Sequence, residues 1–185
     1  FQGEGIVSFP IHPNFSIEGI FGGRLNLMHV DQKVFQTSFP NRPGEGVFDT
    51  LQVKDVRIFS LNLHVGLALR FWEKWSVGTD IDLLGWSFGS RGLFLYESEG
   101  STESQSFQWA SPEPFNVMLM GRNDRGSLNS RFWLGYRFHK KWEIQGGLAI
   151  VHIIYRTDNT LAFENDRFFS DYKAGFVSVA YRPFN

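Results

Sequence analysis

Acidic and basic side chains lie at alternate positions within several otherwise apolar stretches. They are the side chains of this sequence that are most able to do chemistry. Asp80 and Asp82 lie two residues apart, a spacing that would suit a carboxylate pair in acid–base catalysis. His64 lies near Asn62 and Arg70 on a comparable face. Because arginines share these faces, we predict salt bridges and hydrogen bonds with a structural role. The predicted polar network consists of Glu18, Arg24, His64, Arg70, Asp80, Asp82, Arg131, Arg137 and Glu143.

Other residue types give no sign of a catalytic or metal site. His12, His29, His139 and His152 show no shared ligand spacing, and the chain has no cysteine. No phosphate-binding loop, serine-hydrolase elbow or zinc-protease motif is present. We therefore expect no enzyme activity, no metal and no cofactor. The formal net charge of −1 gives no electrostatic case for nucleic acid.

Polar and apolar residues alternate with a period of two, which predicts β-strands, and these strands position the polar side chains. In the clearest strand, residues 57–71, apolar Phe59, Leu61 and Leu63 alternate with Ser60 and Asn62. The other predicted strands are residues 4–11, 15–30, 75–88, 127–138 and 142–156, with a last strand running to Phe184.

A thirteen-residue unit occurs three times without a gap, at 7–19, 67–79 and 134–146. Each copy is an alternating run, a turn of about three residues, an aromatic and a second alternating run, which predicts a tight β-hairpin. The aromatics after the turns are Phe15, Trp75 and Trp142. Longer polar connections separate the hairpins, at 32–52, at 89–126 and around 163–168. One end of the sheet is therefore predicted to have short turns and the other long loops.

The composition and the charged face together predict a membrane barrel. The mean hydropathy is −0.21 and 17% of residues are aromatic, and both values suit strands with one apolar and one polar face. Arginine facing lipid at mid-depth costs about 2–4 kcal/mol, so the charges are expected to face a lumen. We predict an all-β, antiparallel up-and-down transmembrane β-barrel as a single domain over residues 1–185, with short periplasmic turns and long extracellular loops. Its interfacial aromatic girdle is predicted to be Phe15, Phe71, Trp75, Phe138, Trp142 and Tyr181.

Four segments carry a resemblance to a known family: Trp75–Gly85, residues 121–130, Phe163–Phe168 and the end of the chain from Tyr181. In these segments the chain resembles the small outer-membrane β-barrel proteins common in Bacteroidota. The resemblance implies eight strands, a signal peptide, both termini in the periplasm and no shared catalytic residues. No signal-peptide pattern follows Phe1, so we expect that peptide to be absent from this sequence.

The strand count leaves two alternatives. Seven strands are predicted, whereas closure requires an even number. One alternative is that a strand precedes Phe1, which the gapless repeat favours. The other is that residues 1–14 are periplasmic and 89–126 supplies two more strands.

The expected function is structural or interactive, as an accessory subunit or a presenter of surface loops in the outer membrane of a Gram-negative bacterium. An eight-stranded lumen is just wide enough for side chains to fill, so we expect a plugged barrel. Expected partners are outer-membrane lipid, including lipopolysaccharide, and other envelope proteins. Three rivals remain open: a narrow transporter whose entrance is lined by Trp109 and Phe115–Met120, a lipid-modifying enzyme using His152 and Ser130, and a soluble lipocalin-like barrel.

Overall fold

The computed structural model describes residues 2–38, 49–98, 105–119, 124–161 and 164–181, and all regular structure in them is β-strand. The strands are β1 (Gln2–His12), β2 (Phe15–Thr37), β3 (Thr50–Phe71), β4 (Trp75–Gly89), β5 (Gly92–Glu97), β6 (Gln105–Pro112), β7 (Phe115–Val117), β8 (Leu128–His139), β9 (Trp142–Thr157) and β10 (Arg167–Tyr181). They form one sheet that is mostly antiparallel. No helix among these residues has the length and apolarity needed to cross a bilayer.

Three short turns join β1 to β2, β3 to β4 and β8 to β9, at one end of the sheet. We call the part of the sheet next to these turns the lower section and the opposite part the upper section. The turns contact one another, since Trp72 N–H donates to the Asn14 carbonyl and Arg137 N–H donates to the Lys74 carbonyl. Trp72 and Glu73 adopt positive φ in the middle turn. The three repeated units thus fold as the predicted hairpins.

Seven strands pair side by side in the lower section, in the order β1, β2, β3, β4, β8, β9 and β10. The last strand returns to the first through one parallel pair, Gly3 with Tyr181. This closed circuit of pairings is consistent with a β-barrel-like fold. The alternative that placed residues 1–14 in the periplasm and further strands within 89–126 is wrong in its first part, because β1 pairs with β2 along most of its length. Its second part is right that 89–126 supplies strands, since β5, β6 and β7 lie there.

The upper section corrects the predicted loops. Strand β2 continues to Thr37 and β3 begins at Thr50, so strands occupy both ends of the predicted 32–52 loop. The predicted 89–126 connection contains β5, β6 and β7. The β5–β6 hairpin enters the sheet between β3 and β9, above β4. The last strand ends at Tyr181, and Phe184 lies outside the described residues.

An unpaired residue on each of β2 and β3 separates the two sections, and we call this point the break. The β2–β3 ladder runs to the pair Val30–Val56 and resumes in the same register at Gln32–Lys54, so Asp31 and Asp55 are skipped. Asp55 has a φ of 47°, which is outside the extended range of a strand. The buried side chains of β3 change from even-numbered below the break to odd-numbered above it, because one residue drops out of the alternation there.

Burial chemistry differs between the sections. The upper section has an apolar core. Its buried members are Phe35, Leu51, Val53, Val56, Ile58, Phe94, Tyr96, Ala110, Ile153, Tyr155 and Phe168. In the lower section the buried side chains are largely polar, whereas the exposed ones are largely apolar. We call those exposed apolar side chains the apolar belt; it includes Leu27, Leu63, Leu67, Phe132, Leu148 and Val177.

The hydroxyl of Tyr155 provides a test of the upper core. It is buried and has no hydrogen-bond partner among the described residues, and burial raises the pKa of this phenol above its usual range. Because an unsatisfied buried hydroxyl is costly, we expect Tyr155→Phe to raise the free energy of unfolding by about 1 kcal/mol. Tyr96→Phe is the matched control, since the Tyr96 hydroxyl donates to Asp49 Oδ2 at 2.8 Å. The control should lower stability by about 1–3 kcal/mol in denaturant titrations; equal effects of the two variants would contradict this account.

Candidate functional site

Asp80 is the centre of the most highly connected cluster on the buried face of the lower section. Its carboxylate accepts hydrogen bonds from the guanidinium of Arg24 and from Arg131 Nη2 at 2.6 Å. Trp133 Nε1 donates to the same carboxylate at 3.1 Å. These four side chains are almost completely buried. A carboxylate enclosed by two guanidiniums and an indole is held as an ion-pair partner, with little freedom to exchange protons.

Asp82 belongs to the same cluster but faces different donors. Arg24 Nη1 donates to Asp82 Oδ1 at 2.7 Å, so Arg24 bridges the two carboxylates. Asn62 Nδ2 and the backbone N–H of Asn129 donate to Asp82 Oδ2 at 2.7 and 3.0 Å. The Asp80–Asp82 pair is therefore occupied by arginine and amide donors, which is the salt-bridge arrangement that the sequence favoured.

An asparagine relay extends this cluster toward the upper section. Asn116 Nδ2 donates to Asn62 Oδ1 at 2.6 Å. In turn, Asn116 Oδ1 accepts from Ser87 Oγ at 2.9 Å and from the backbone N–H of Ser127 at 2.7 Å. Asn116 lies on β7, which pairs with β4, so part of the segment that the transporter alternative placed at an entrance belongs to the sheet. Met120, at the other end of that predicted segment, lies outside the described residues.

A second cluster lies closer to the short turns. Arg70 donates to Glu18 through Nε and through Nη2, the latter at 2.7 Å, in a bidentate pair. Arg70 Nη2 also reaches Glu143 Oε2 at 3.0 Å, and Ser76 Oγ donates to Glu143 Oε1 at 3.1 Å. Arg137 is the more peripheral member, with Nη2 3.9 Å from Glu18 Oε1 and its side chain 19% exposed.

His64 lies on the same buried face and is 1% exposed. Its Nε2 is 3.9 Å from Glu4 Oε1, and neither ring nitrogen has a hydrogen-bond partner among the described residues. The structure thus places His64 with the predicted network residues, but it does not give the imidazole the hydrogen bonds that the sequence interpretation expected.

The strand pattern explains how these side chains converge. They occupy alternate positions of β2, β3, β4, β8 and β9, and neighbouring strands present them to one another. Close packing needs a small residue at Gly78, where a Cβ would lie 2.5 Å from Trp133 Cζ2. The indole fills the space over Gly78, which allows Trp133 Nε1 to reach Asp80.

The nine predicted network residues balance in charge. Glu18, Asp80, Asp82 and Glu143 face four arginines, with His64 as the ninth member. In the described ranges no group of three histidine or carboxylate side chains could hold a metal ion. Salt bridges of this kind fill space and fix the relative positions of strands, and they offer no activated nucleophile.

The sequence reading missed several members of the network. Gln145 Nε2 donates to Glu143 Oε1 at 3.2 Å and so joins the network. Asn62, Ser76 and Gln145 lie at polar positions of the alternation, so strict use of the two-residue period would have found them. Trp133 also obeys that period, but an indole on a charged face is hard to assign without its partner. Asn116 carried no signal, because its strand has only three residues.

The predicted girdle aromatics lie next to the short turns, and five of the six make cross-strand ring contacts. The ring centroids of Phe15 and Phe71 are 5.3 Å apart, and those of Trp142 and Tyr181 are 4.8 Å apart. Trp75 packs with Tyr136 at 4.9 Å. Phe138, the sixth residue, is 58% exposed at the same end of the sheet.

The histidine of the enzyme alternative lies on the outer face. His152 Nδ1 is 2.6 Å from Asp171 Oδ1, and its ring stacks on Phe169. Ser130 is on the adjacent strand β8, where Leu128 is the direct partner of His152. The contact with Asp171 gives the His152 ring a carboxylate partner on the outer face.

The architecture defines an all-β chain whose lower section buries charge and exposes apolar side chains. No protein-family model, curated protein or solved structure matches this chain.

Proposed function

We propose that this chain is an integral outer-membrane β-barrel with a side-chain-filled lumen and a structural or interactive role, as an accessory subunit or a presenter of surface loops. The observation that carries the proposal is the inverted burial of the lower section. Arg24, Arg70 and Arg131 are at most 5% exposed, whereas Leu27 is 78% and Leu148 is 67% exposed. Water would favour the opposite arrangement, and a bilayer favours this one.

The filled lumen argues for structure over conduction. The two ion-pair clusters occupy the buried face of the lower section, and the apolar core fills the upper section. On the proposed closure into a barrel of about eight strands, the interior is just wide enough for side chains and leaves no aqueous channel. The girdle aromatics at the short-turn end match an interface with lipid head groups, which supports a periplasmic position for that end and outer-membrane lipid, including lipopolysaccharide, as the surrounding partner.

The upper end supports an interaction role. Leu93 and Trp109 are paired across the β5–β6 hairpin, and both are about half exposed. Phe107 on the same hairpin is 66% exposed. Exposed apolar groups that project beyond a membrane wall suit contact with another envelope protein.

The proposal predicts that the protein partitions with outer membranes, stays there after washing with urea, and needs detergent for extraction. Reconstituted into a planar bilayer, it should show no conductance above the bare bilayer, because the lumen is filled. Solubility without detergent would contradict the membrane assignment and favour a lipocalin-like barrel. Steady conductance would favour the transporter. Hydrolysis of phospholipid that disappears in His152→Ala would favour the enzyme.

A further inference from the structure

A slit opens in the sheet between β2 and β10, which run antiparallel to each other. Above the slit, β10 pairs directly with β2 at Phe168 and Thr37. Below it, the end of β10 meets the start of β1. Between these contacts, within the described part of the chain, residues 170–180 of β10 have ladder partners only on β9, and residues 26–34 of β2 only on β3. The two strands are therefore joined near both ends and separated in the middle.

The upper and lower parts of the slit differ. In the upper part, Lys33 of β2 reaches across to β10, where its Nζ lies 4.6 Å from the ring centre of Tyr172. Tyr172 and Met28 also pack against the apolar core of the upper section. The lower part opens into a cavity of about 290 Å³. Access from the outer face is thus concentrated in the lower section, at the level of the apolar belt.

The cavity passes between the two strands, because residues from both of their faces line it. Leu25 and Val177 belong to the exposed apolar face and are 38% and 78% exposed. Arg24 and Phe176 come from the buried face, together with Arg131 of β8, whose guanidinium lies 5.0 Å from the Phe176 ring centre. The cavity is therefore apolar at its outer mouth and polar at its inner end.

Two polar atoms of the lining have no hydrogen-bond partner among the described residues. They are Arg24 Nε and Asn129 Oδ1, and both are buried. The Arg24 side chain is 3% exposed. An N–H donor and a carbonyl acceptor that are buried without partners carry the full cost of lost hydration. A ligand group that both accepts and donates, such as a hydroxyl or an amide, would satisfy the two atoms together.

The charges around the inner end favour a neutral ligand group. Arg24 is paired with both Asp80 and Asp82, and Arg131 is paired with Asp80. Two guanidiniums thus face two carboxylates, and no positive charge is left over for an anion. A carboxylate or phosphate placed beside them would be desolvated and would also meet the two acidic side chains.

We propose that the cavity is a lateral binding site for a neutral single-chain amphipath, of the chemical class of a monoacylglycerol, a fatty alcohol or a fatty amide. The head group bonds Arg24 Nε and Asn129 Oδ1, and the chain leaves through the slit past Leu25 and Val177. A volume of 290 Å³ is near the lower end of the range of about 300–1,000 Å³ for small-molecule sites. It therefore suits the head group and the first carbons, while the rest of the chain lies on the apolar belt.

The inference rests on the proposed membrane location, since the acyl chain needs a lipid environment outside the slit. It goes beyond that function in assigning a ligand. The ion-paired arginines form the inner end of the site, so the site requires no path through the lumen and agrees with the expected lack of conductance.

Photo-labelling tests the position of the site. The full chain, purified in detergent, is incubated with 1-monooleoylglycerol that carries a diazirine in its acyl chain next to the ester, irradiated, digested and mapped by mass spectrometry. Label should be about 10-fold denser on residues 24–27 and 176–179 than around Phe132 and Leu148, which are belt positions away from the slit. Even labelling of the whole belt would overturn the proposal.

Competition tests the chemistry of the head group. Unlabelled 1-monooleoylglycerol should suppress labelling of the slit at about 10-fold lower concentration than oleate, which has an anionic head, or 1-octadecene, which has none. If oleate competed as well as the neutral ester, the assignment of a neutral ligand would be wrong. If 1-octadecene competed as well, the two polar atoms would have no part in binding.

One substitution tests the polar contact. Asn129→Leu removes the unpartnered oxygen at similar side-chain volume, and we expect it to weaken competition by monooleoylglycerol about 10-fold. Asn159→Leu, at an exposed position outside the cavity, is the control and should leave competition unchanged. Equal affinities of the two variants would overturn the assigned contact, and the competition among ligands on the unaltered chain decides the matter if Asn129→Leu does not fold.

The two proposals fail in different ways. A chain that urea removes from membranes fails the proposed function. A chain that resists urea but takes up label evenly over its apolar belt retains that function and lacks only the lateral site.

Discussion

Leu148→Arg should destabilise the folded protein in a bilayer by about 2–4 kcal/mol, the cost of an arginine facing lipid near mid-depth. Leu148 lies on β9 within the apolar belt and is 67% exposed, between Phe132 of β8 and Gly175 of β10. On the exposed face of β9 its neighbours include Ile144 and Ile150. No acidic side chain of that strand therefore lies beside it to pair with the new arginine. The unfolding free energy in phosphocholine vesicles, followed by tryptophan fluorescence during denaturant titration, measures the loss.

A matched substitution separates membrane depth from the loss of a leucine. Val34→Arg introduces the same guanidinium at an exposed apolar position of the upper section, where Val34 is 47% exposed. The proposed membrane location puts this position beyond the lipid-facing belt and in contact with water, so we expect a change within about 0.5 kcal/mol. If Leu148→Arg were as harmless as Val34→Arg, the exposed apolar face would not be a lipid-facing surface, and the soluble alternative would gain support.

Asp80→Asn should cost about 3–5 kcal/mol of stability, the usual result of removing one partner from a buried ion pair. The change keeps the shape of the side chain but leaves Arg24 and Arg131 with one carboxylate, Asp82, for two guanidiniums. Arg131 makes its charged contact with Asp80, so it bears most of the loss. Stability is measured by the same vesicle titration.

Two comparisons make the Asp80 result interpretable. Asp55→Asn alters a carboxylate that is 88% exposed at the break in the β2–β3 ladder, and should change stability by no more than about 0.5 kcal/mol. The double variant Asp80→Asn with Arg131→Gln should lose less than the sum of the single losses, because the two side chains interact directly. Additive losses would show that Asp80 does not stabilise the fold through Arg131.

The sequence already contained the pattern of the lower section. Strict alternation in strands such as 57–71 separated the residues that become buried from those that become exposed, because successive side chains point to opposite faces of a strand. The gapless repeat located the three short turns for the same reason, since a hairpin needs turn residues at a defined register. The charged residues on the polar face of each strand were enough to select the network residues, although they did not identify the individual partners.

The alternation along the chain did not predict which strands distant in sequence contact one another. Arg24 and Asp80 are 56 residues apart, and only the order of strands in the sheet brings them together. The extension of β2 beyond residue 30 and the start of β3 at Thr50 were missed because the break at Asp31 and Asp55 interrupts the two-residue period there. The β5–β6 hairpin was foreseen only as two unplaced strands within 89–126, because short strands next to glycine, serine and proline give little periodic signal.

The sequence by itself thus determined the alternation of apolar and charged side chains, the positions of the tight turns and the aromatics beside them, because these depend on neighbours along the chain. Tertiary structure alone decided which face is buried in the lower and in the upper section, how Asp80 came to hold two arginines and an indole, and how the last strand meets the first. Those outcomes depend on strand order, on the break at Asp31 and Asp55 and on strand direction. All three are properties of the assembled sheet, and no local stretch of sequence encodes them.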